Sequence, residues 1–201
     1  MTTDPILAAA KTALRLEARA RRKGLMVEHP EADWMAADHA PAMLAALGRR
    51  RPGVLAIYKA LGAELDPRPL ADTLAKTGWT IALPAVVAEA APLAFRVWSP
   101  GQPLVHDLAG LPAPSAAADD VSPDLVMVPL LAFDAAGGRL GQGGGHYDRT
   151  MAALRNRPSP PPFVGMAYSG QQVAALPREP HDQPLDGILT EAGYIGVRKD
   201  L

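Results

Sequence analysis

The sequence predicts an α/β protein in which a mostly parallel sheet forms the middle layer of a three-layer α/β/α sandwich. Two observations indicate this fold. Short apolar segments recur along the chain, with helix-length segments between them. Most of these segments are apolar throughout, which is typical of strands with both faces buried. The 201 residues are expected to form one domain, 1–201, because domains usually contain about 100–200 residues.

The N-terminal quarter of the chain is predicted to be helical. Pro5 suits the first turn of a helix over residues 5–24, and Gly24 is expected to end it. The positions expected to form a weak apolar stripe on this helix are Ile6, Ala10, Leu14 and Ala18. A second helix is predicted over residues 31–48, broken or restarted at Pro41 because proline lacks the backbone N–H.

Strands and helices alternate in the rest of the chain. The predicted strands are residues 53–58, 79–84, 93–98, 124–129 and 163–169, with a last one within 187–197. The predicted helices are residues 67–77, 147–157 and a short one at 171–176. The segment 93–98 alternates polar and apolar residues, so one of its faces is expected to meet solvent. Residues 99–123 are rich in proline, alanine and aspartate and are expected to form a long surface connection.

The composition excludes several classes of protein. The net charge is −1, so no overall electrostatic field favours nucleic acid or an anionic membrane as a partner. The absence of cysteine excludes disulfides, thiolate metal sites and cysteine nucleophiles. No apolar run approaches the roughly 20 residues of a membrane span, and the start of the chain lacks the apolar region of a signal peptide. We therefore expect a cytoplasmic protein that is a monomer or a weak dimer.

A glycine-rich run carries the strongest chemical indication in the sequence. Its glycines are Gly137, Gly138, Gly141, Gly143, Gly144 and Gly145. Glycines leave backbone N–H groups uncovered and permit the positive φ angles that a loop needs to curl around an anion. The helix predicted from Tyr147 adds the partial positive charge of its N-terminus.

Charged residues at both ends of the run suit a metal-bound phosphate. Arg139 offers a planar fork for a phosphate, and the carboxylate of Asp148 is a natural ligand for Mg²⁺. The run matches neither the P-loop pattern nor the dinucleotide fingerprint, and a tight turn without a ligand is the alternative. These residues predict an anion-binding loop and do not identify the anion.

The complete string around this loop is more specific. PLLAFDAAGGRLGQGGGHYDRTM, residues 129–151, resembles the signature of the 5-formyltetrahydrofolate cyclo-ligase family, the methenyltetrahydrofolate synthetases. That signature contains Phe-Asp, a short spacer and then Gly-x-Arg-Leu-Gly-x-Gly-x-Gly-Tyr-Tyr-Asp. Further similar segments are KTALR (11–15), YKALGAELDPRPL (58–70), LPAVVAEAAPLAFRVWSPG (83–101) and AYSGQQVAALPREPHDQPLDGILTE (167–191). The resemblance therefore extends along the whole chain.

The resemblance implies a fold and a reaction. The implied fold is Rossmann-like, of the kind found in sugar-phosphate isomerases and CoA-transferases. The implied reaction uses ATP and Mg²⁺ to convert 5-formyltetrahydrofolate, a reduced folate, to 5,10-methenyltetrahydrofolate, ADP and phosphate. In the family mechanism the formyl oxygen attacks the γ-phosphate, and N10 of the folate then closes the ring as phosphate leaves. Such a reaction needs positioning and charge stabilisation more than a nucleophilic side chain.

The resemblance also implies candidate site residues. The implied ATP-binding residues are Lys11, Arg15, Arg139, Leu140, Gly141, Gln142, Gly143, Gly144, Gly145, His146 and Tyr147. The implied folate-binding residues are Lys59, Glu64, Gln142, His146 and Tyr147. The implied Mg²⁺ ligands are Asp148 and Asp182, and the residues expected to act in catalysis are Arg139 and Tyr147.

Several of these residues also have a purely structural interpretation. Lys11 and Arg15 share a helix face that continues through further basic residues and is typical of a solvated surface. Those further residues are Arg19, Arg22 and Lys23. Asp182 alone would be an ordinary loop aspartate, and Glu64 a glutamate stabilised by a helix start. Tyr147 at the loop end suits packing as well as stacking on a pterin.

The chain departs from the family pattern at two positions. His146 replaces the first tyrosine of Tyr-Tyr-Asp, so that a flat imidazole ring stands in place of a phenol. Ala113 stands where many bacterial members carry glutamate. The alternative functions are a nucleotide- or folate-binding relative without turnover, and a sugar-phosphate isomerase or CoA-transferase relative. Retention of the phosphate cations and both carboxylates favours the enzyme, because a binding-only descendant is expected to lose them first.

Overall fold

The computed structural model describes residues 5–197 of the chain. Its helices are α1 (Pro5–Glu28), α2 (Ala32–Asp38), α3 (Ala40–Ala46), α4 (Arg68–Ala75) and α5 (His146–Arg155). Its strands are β1 (Val54–Ala56), β2 (Thr80–Ala85), β3 (Ala94–Val97), β4 (Val105–His106), β5 (Pro112–Ala113), β6 (Leu125–Pro129), β7 (Ala132–Phe133), β8 (Arg139–Leu140), β9 (Phe163–Met166), β10 (Gly187–Thr190) and β11 (Gly193–Gly196).

Within residues 5–197, seven strands form one sheet in the order β11-β10-β9-β6-β1-β2-β3. The five inner strands run parallel, whereas the edge strands β11 and β3 are antiparallel to their neighbours. At the centre, Leu55 of β1 pairs with Ile81 of β2 on one side and with Leu125 of β6 on the other. The prediction of a mostly parallel sheet is therefore confirmed.

Helices cover both faces of this sheet, which explains why inner strands such as β6 and β9 are apolar throughout. Leu125 and Met127 of β6 belong to a buried cluster with residues of α2, α3 and α4. Val126 and Val128 alternate with them and belong to a second cluster, which includes Met151 of α5. The alternation places one cluster on each face of the sheet. The result is the predicted arrangement of helices, sheet and helices.

Helix α1 is longer than predicted. It continues through Gly24 and ends at Glu28. Leu25 packs against the core and so closely over Gly170 that a Cβ there would lie 2.6 Å from a Leu25 methyl. This tertiary contact outweighs the preference of glycine for a helix end. No helix in the described part of the chain, α1 included, is long and apolar enough to cross a membrane.

The face that α1 buries also differs from the prediction. The predicted apolar stripe is wrong at its first two positions, because Ile6 is 81% exposed and Ala10 is exposed as well. The buried residues of α1 are Lys11, Ala18 and Arg22. A buried face with two cations requires acceptors on the element that it contacts, since an unpaired buried charge is costly. Those acceptors lie at the carboxyl edge of the sheet.

Two connections were also predicted incompletely. The surface segment 99–123 contains the short antiparallel pair of β4 and β5. The short helix predicted at 171–176 is wrong: a 3₁₀ turn spans Ser169–Gln171, and the chain is extended from Gln172. The reason is a strand-like contact, since Gln172 bridges to Phe133 and the N–H of Val173 donates to the carbonyl of Phe133.

Candidate active site

A pocket of about 450 Å³ lies at the carboxyl ends of β1, β2 and β6, where ligands bind in open α/β sheets. Its volume is within the range of small-molecule sites. Every residue that the family resemblance implied for the site lines this one pocket. These residues are Lys11, Arg15, Lys59, Glu64, the run from Arg139 to Asp148, and Asp182. They come from α1, the segment after β1, the glycine loop and the segment before β10.

The glycine loop is shaped by conformations that other residues rarely adopt. Gly143 and Gly145 have φ angles of 104° and 66°, which an L side chain disfavours. Asp134 fixes the start of the loop, because its Oδ1 accepts from the N–H of Gly138 at 2.8 Å. A Cβ at Gly138 would lie 2.5 Å from the same carboxylate, so glycine is required there. Sequence reasoning did not assign this anchoring role to Asp134.

Arg139 and Asp148, at the two ends of the loop, form an ion pair. Nη2 of Arg139 donates to Oδ1 of Asp148 at 2.7 Å, and the N–H of Gln183 donates to the same oxygen at 3.1 Å. The side chain of Arg139 is only 5% exposed, and its Nε is buried without a hydrogen-bond partner among residues 5–197. A buried donor without an acceptor is costly, so an acceptor atom of an anion would be favoured at this position. The chemistry of this corner suits an anion.

Lys11 of α1 is held by two carboxylates. Its Nζ donates to Asp182 at 2.5 Å and to Glu179 at 2.8 Å. Burial alone would lower the pKa of Lys11, but the hydrogen bonds to Asp182 and Glu179 outweigh it and raise that pKa. Burial likewise opposes the charge of Asp182, whose pKa is nevertheless lowered by its hydrogen bonds from Lys11 and the Glu179 N–H. Both groups are therefore charged across the neutral range.

A second carboxylate that lines the pocket, Glu64, has a side chain that is 10% exposed. Glu64 accepts from Nη1 of Arg22 at 3.3 Å and from the N–H of Leu61 at 3.0 Å. Nη1 of Arg22 also donates to the carbonyl of Leu130 at 3.2 Å. Desolvation, and then the negative charge of Glu64, raise the pKa of Tyr147 above its usual range. The phenol of Tyr147 therefore stays protonated at neutral pH and is available as a hydrogen-bond donor.

The interpretation of α1 as a solvated basic face is wrong for Lys11 and Arg22, which are both buried. It holds better for Arg19, which is exposed yet still donates to Oε1 of Gln142 at 2.8 Å. Arg15 lies between them, and its Nε donates to the carbonyl of Gly141 at 3.0 Å. Two cations of α1, Lys11 and Arg15, therefore line the pocket itself.

Sequence reasoning missed Arg22, Glu179 and Tyr58 as members or supports of this site. A signal for Arg22 existed, because Lys11, Ala18 and Arg22 are spaced by seven and four residues, which places them on one helix face. Glu179 had no comparable signal, since its partner Lys11 is 168 residues away. The phenol of Tyr58 donates to the carbonyl of Leu65 and shapes the turn before Glu64.

The carboxylates of the pocket fit a hard divalent cation. Asp148 and Asp182 both line it and offer oxygen atoms, which Mg²⁺ prefers. Glu179, His181 and Asp182 also offer one ligand atom each within 4.8 Å of one another. Asp148 and Asp182 are each balanced by one cation, Arg139 and Lys11. A metal bound with a polyphosphate would satisfy the carboxylates and leave those two cations for the phosphates.

The buried network around Lys11 predicts a pH-dependent stability. We expect Lys11→Met to lower the free energy of unfolding by about 1–3 kcal/mol at pH 7, because it leaves Asp182 and Glu179 without their cation. The lowered pKa of Asp182 makes this stabilisation present above pH 3.8 and lost as the pH falls through the folded value. Because the pKa of Lys11 is raised, the stabilisation is also fully present below pH 10.5 and is lost as the pH rises through the folded value. Urea unfolding at pH 3 and pH 7 measures the difference.

The matched control is Arg68→Met. Arg68 pairs with Asp66, but its side chain is 59% exposed, so its removal is expected to cost less than about 1 kcal/mol. An equal loss in both variants, or a loss for Lys11→Met that is unchanged at pH 3, would contradict a stabilising role of the buried network.

Comparison with known proteins identifies the relatives of this chain. The model of the 5-formyltetrahydrofolate cyclo-ligase family matches residues 7–191. The 5-formyltetrahydrofolate cyclo-ligase of Escherichia coli strain K12 is 36% identical over 141 residues, which are 68% of this chain and 76% of that protein. The protein of that name from Haemophilus influenzae is 32% identical over 182 residues, covering 88% and 95%.

Solved structures agree with these relatives. The 5,10-methenyltetrahydrofolate synthetase of Aquifex aeolicus superposes with a TM-score of 0.74 at 27% identity, covering 95% of this chain and 94% of that one. The synthetase of the same name from Mycoplasma pneumoniae has a TM-score of 0.67 at 22% identity and supports the fold. The family match includes α1, the glycine loop and the segment around Asp182. The chain therefore belongs to the 5-formyltetrahydrofolate cyclo-ligase family.

Proposed function

We propose that this protein uses ATP and Mg²⁺ to convert 5-formyltetrahydrofolate to 5,10-methenyltetrahydrofolate, with release of ADP and phosphate. The observation that carries the proposal is the convergence of α1, the glycine loop and Glu64 on one pocket. Family membership supports the same reaction. The proposed partners are therefore ATP and a reduced folate, acting on a monomer or weak dimer in the cytoplasm.

The cationic end of the pocket is the proposed place of the ATP phosphates. Arg139 carries a buried N–H that finds no acceptor within the described part of the chain, and Arg15 lies against the loop at Gly143. Lys11 adds an ammonium at the same end. Asp148 and Asp182 are the residues that would hold Mg²⁺, which neutralises phosphate charge when bound. Each cation then exchanges a carboxylate partner for a phosphate oxygen, so the charges of the site stay balanced.

The end of the pocket near Glu64 is the proposed place of the pterin. Glu64 is fixed by Arg22 and by the N–H of Leu61, so its oxygens are positioned to accept from the amino and ring N–H groups of a pterin. Apolar walls flank this region and suit a flat ring; they include Pro84, Val86 and Leu93. Lys59 lines this pocket and a neighbouring cavity of about 500 Å³, where its charge suits a carboxylate of the folate tail.

The proposed chemistry needs little more than positioning. The formyl oxygen attacks the γ-phosphorus of ATP, and the bond from that phosphorus to the ADP oxygen breaks. N10 of the folate then attacks the activated formyl carbon, loses its proton, and displaces phosphate as the ring closes. Arg139 stabilises the charge that develops on the transferred phosphoryl group, and Tyr147 donates a hydrogen bond beside it.

A direct assay tests this proposal. Protein, Mg-ATP and 5-formyltetrahydrofolate are mixed, and the near-ultraviolet absorbance of the methenyl product is followed. We expect an ATP-dependent rise in absorbance together with release of ADP and phosphate. Binding of both substrates without such a rise would favour the alternative, a relative that binds nucleotide and folate without turnover.

A further inference from the structure

Two neighbouring side chains of α5 connect the glycine loop to residues 86–93, the segment between β2 and β3. Both regions line the same pocket, the loop through Gly144 to His146 and the segment through Val86 and Leu93. Under the proposed function, the loop lies beside the ATP phosphates and the segment beside the folate. A contact that joins the two regions therefore joins the two substrate sites.

Thr150 provides the first connection. Its hydroxyl donates to the carbonyl of His146 at 2.7 Å and accepts from the N–H of Leu93 at 2.9 Å. The residue is completely buried, so water cannot replace either bond. One oxygen atom thus holds the first turn of α5, which directly follows the glycine loop, and the wall of the pocket at a fixed separation.

Arg149 provides the second connection. Its Nη2 donates to the carbonyl of Gly144 at 3.0 Å and lies 3.2 Å from Nδ1 of His146. Its Nε donates to the carbonyl of Ala91 at 3.4 Å. A Cβ on Gly145 would lie 2.7 Å from Nη1, so the guanidinium packs directly on the loop. A planar guanidinium reaches acceptors on two segments at once, which the single ammonium of lysine does not.

The segment that these residues hold is conformationally strained. Ala90, adjacent to Ala91, has a φ of 55°, which alanine rarely adopts. Such a conformation persists only where surrounding contacts fix it. The bonds from Arg149 and Thr150 lie on either side of the next residue, Pro92, and therefore control where Leu93 stands in the pocket wall.

We propose that Arg149 and Thr150 are positioning residues that couple the two halves of the pocket, so that nucleotide and folate each strengthen the binding of the other. This rests on the proposed function. A nucleotide that orders the glycine loop also orders the 86–93 segment through the shared bonds. Folate binding then costs less conformational entropy of the protein. The coupling is reciprocal because the two binding steps belong to one thermodynamic cycle.

The test is calorimetric binding of the non-hydrolysable analogue β,γ-imido-ATP with Mg²⁺, with and without 5-formyltetrahydrofolate. In the unmodified protein we expect folate to tighten binding of the analogue by about fivefold or more. Thr150→Val keeps the shape of the side chain but lacks the hydroxyl, and its coupling is expected to fall to about onefold, that is, none. Thr150→Ser restores the hydroxyl and is expected to retain the coupling.

Further variants separate coupling from general effects on the fold. Thr12→Val is the matched control, because the Thr12 hydroxyl donates to the carbonyl of Ala8 within α1 and does not join the two regions. Arg149→Lys keeps the charge, so lost coupling in that variant reports the bridging geometry. Amide exchange at Leu93 provides a readout independent of ligands, and it is expected to quicken in Thr150→Val and to stay slow in Thr150→Ser.

The outcomes are distinguishable. Wild-type coupling in both Thr150→Val and Arg149→Lys overturns the proposal. So does an unmodified protein that turns over folate but shows no coupling, and the proposed function then stands. An unmodified protein that neither binds nor converts 5-formyltetrahydrofolate overturns the proposed function and the coupling together. If Thr150→Val does not fold, Arg149→Lys carries the test.

Discussion

Asp148→Asn is expected to lower turnover by about a thousandfold while the protein remains folded. Asp148 accepts hydrogen bonds from Arg139 and from the N–H of Gln183, and it lines the pocket where the phosphates are proposed to bind. Asparagine has almost the same shape and keeps one acceptor oxygen, but it lacks the negative charge that a Mg²⁺ ligand supplies. Loss of that charge also weakens the orientation of Arg139, so two charged groups around the phosphates are affected by one substitution.

The measurement is steady-state formation of the methenyl product at saturating Mg-ATP, with urea unfolding in parallel. The loss of stability is expected to stay within about 1–3 kcal/mol, because asparagine still accepts from Arg139. Asp120→Asn is the control, since Asp120 pairs with Arg96 but is 73% exposed and lies outside the pocket. Turnover of Asp148→Asn within threefold of the control would remove the metal assignment from Asp148.

Glu64→Gln is expected to raise the KM for 5-formyltetrahydrofolate by about a hundredfold and to leave the KM for ATP nearly unchanged. Both carboxylate oxygens of Glu64 are acceptors, whereas the amide of glutamine would turn a donor toward the donor groups of a pterin. The negative charge is also the partner of Arg22, whose guanidinium is buried against the carbonyl of Leu130. The substitution therefore tests whether the folate end of the pocket depends on this carboxylate.

Kinetics with each substrate varied in turn give the two KM values. Glu17→Gln on the exposed face of α1 is the control for loss of one negative charge. An equal rise in both KM values would indicate a general disturbance of the pocket. An unchanged KM for folate would exclude Glu64 from pterin recognition.

The site could be located from the sequence largely because its centre is continuous. The loop from Arg139 to Asp148 has a fixed order of residues, and α1 places Lys11 and Arg15 one turn apart. The supports of the site were not predictable in the same way. Arg22 is buried only because Glu64 and the carbonyl of Leu130 meet it, and both lie far along the chain. The sequence around Arg22 does not show which distant groups it will contact.

The fold shows the same division between local and distant causes. Apolar strands such as β6 were predictable because burial on both faces makes the whole segment apolar. The break between α2 and α3 was also predictable, since Pro41 falls in the first turn of α3. The end of α1 was not predictable, because the contact of Leu25 with Gly170 outweighs the tendency of Gly24 to end a helix. The pairing of β4 with β5 was not predictable either, because a strand of two residues is too short to show a periodic pattern.

The position of Lys11 has a consequence for the order in which the protein is made. Lys11 and Asp182 are separated by 171 residues, so the ribosome completes most of the chain before the two can meet. At about 5–20 residues per second this interval is roughly 10–30 s. During that time Lys11 has neither Glu179 nor Asp182 to contact, although Glu64 and the glycine loop are made earlier. The proposed nucleotide site is therefore complete only after residue 182 has been made, and a ribosome stalled before that point would carry a chain with five of the seven sheet strands but an incomplete site.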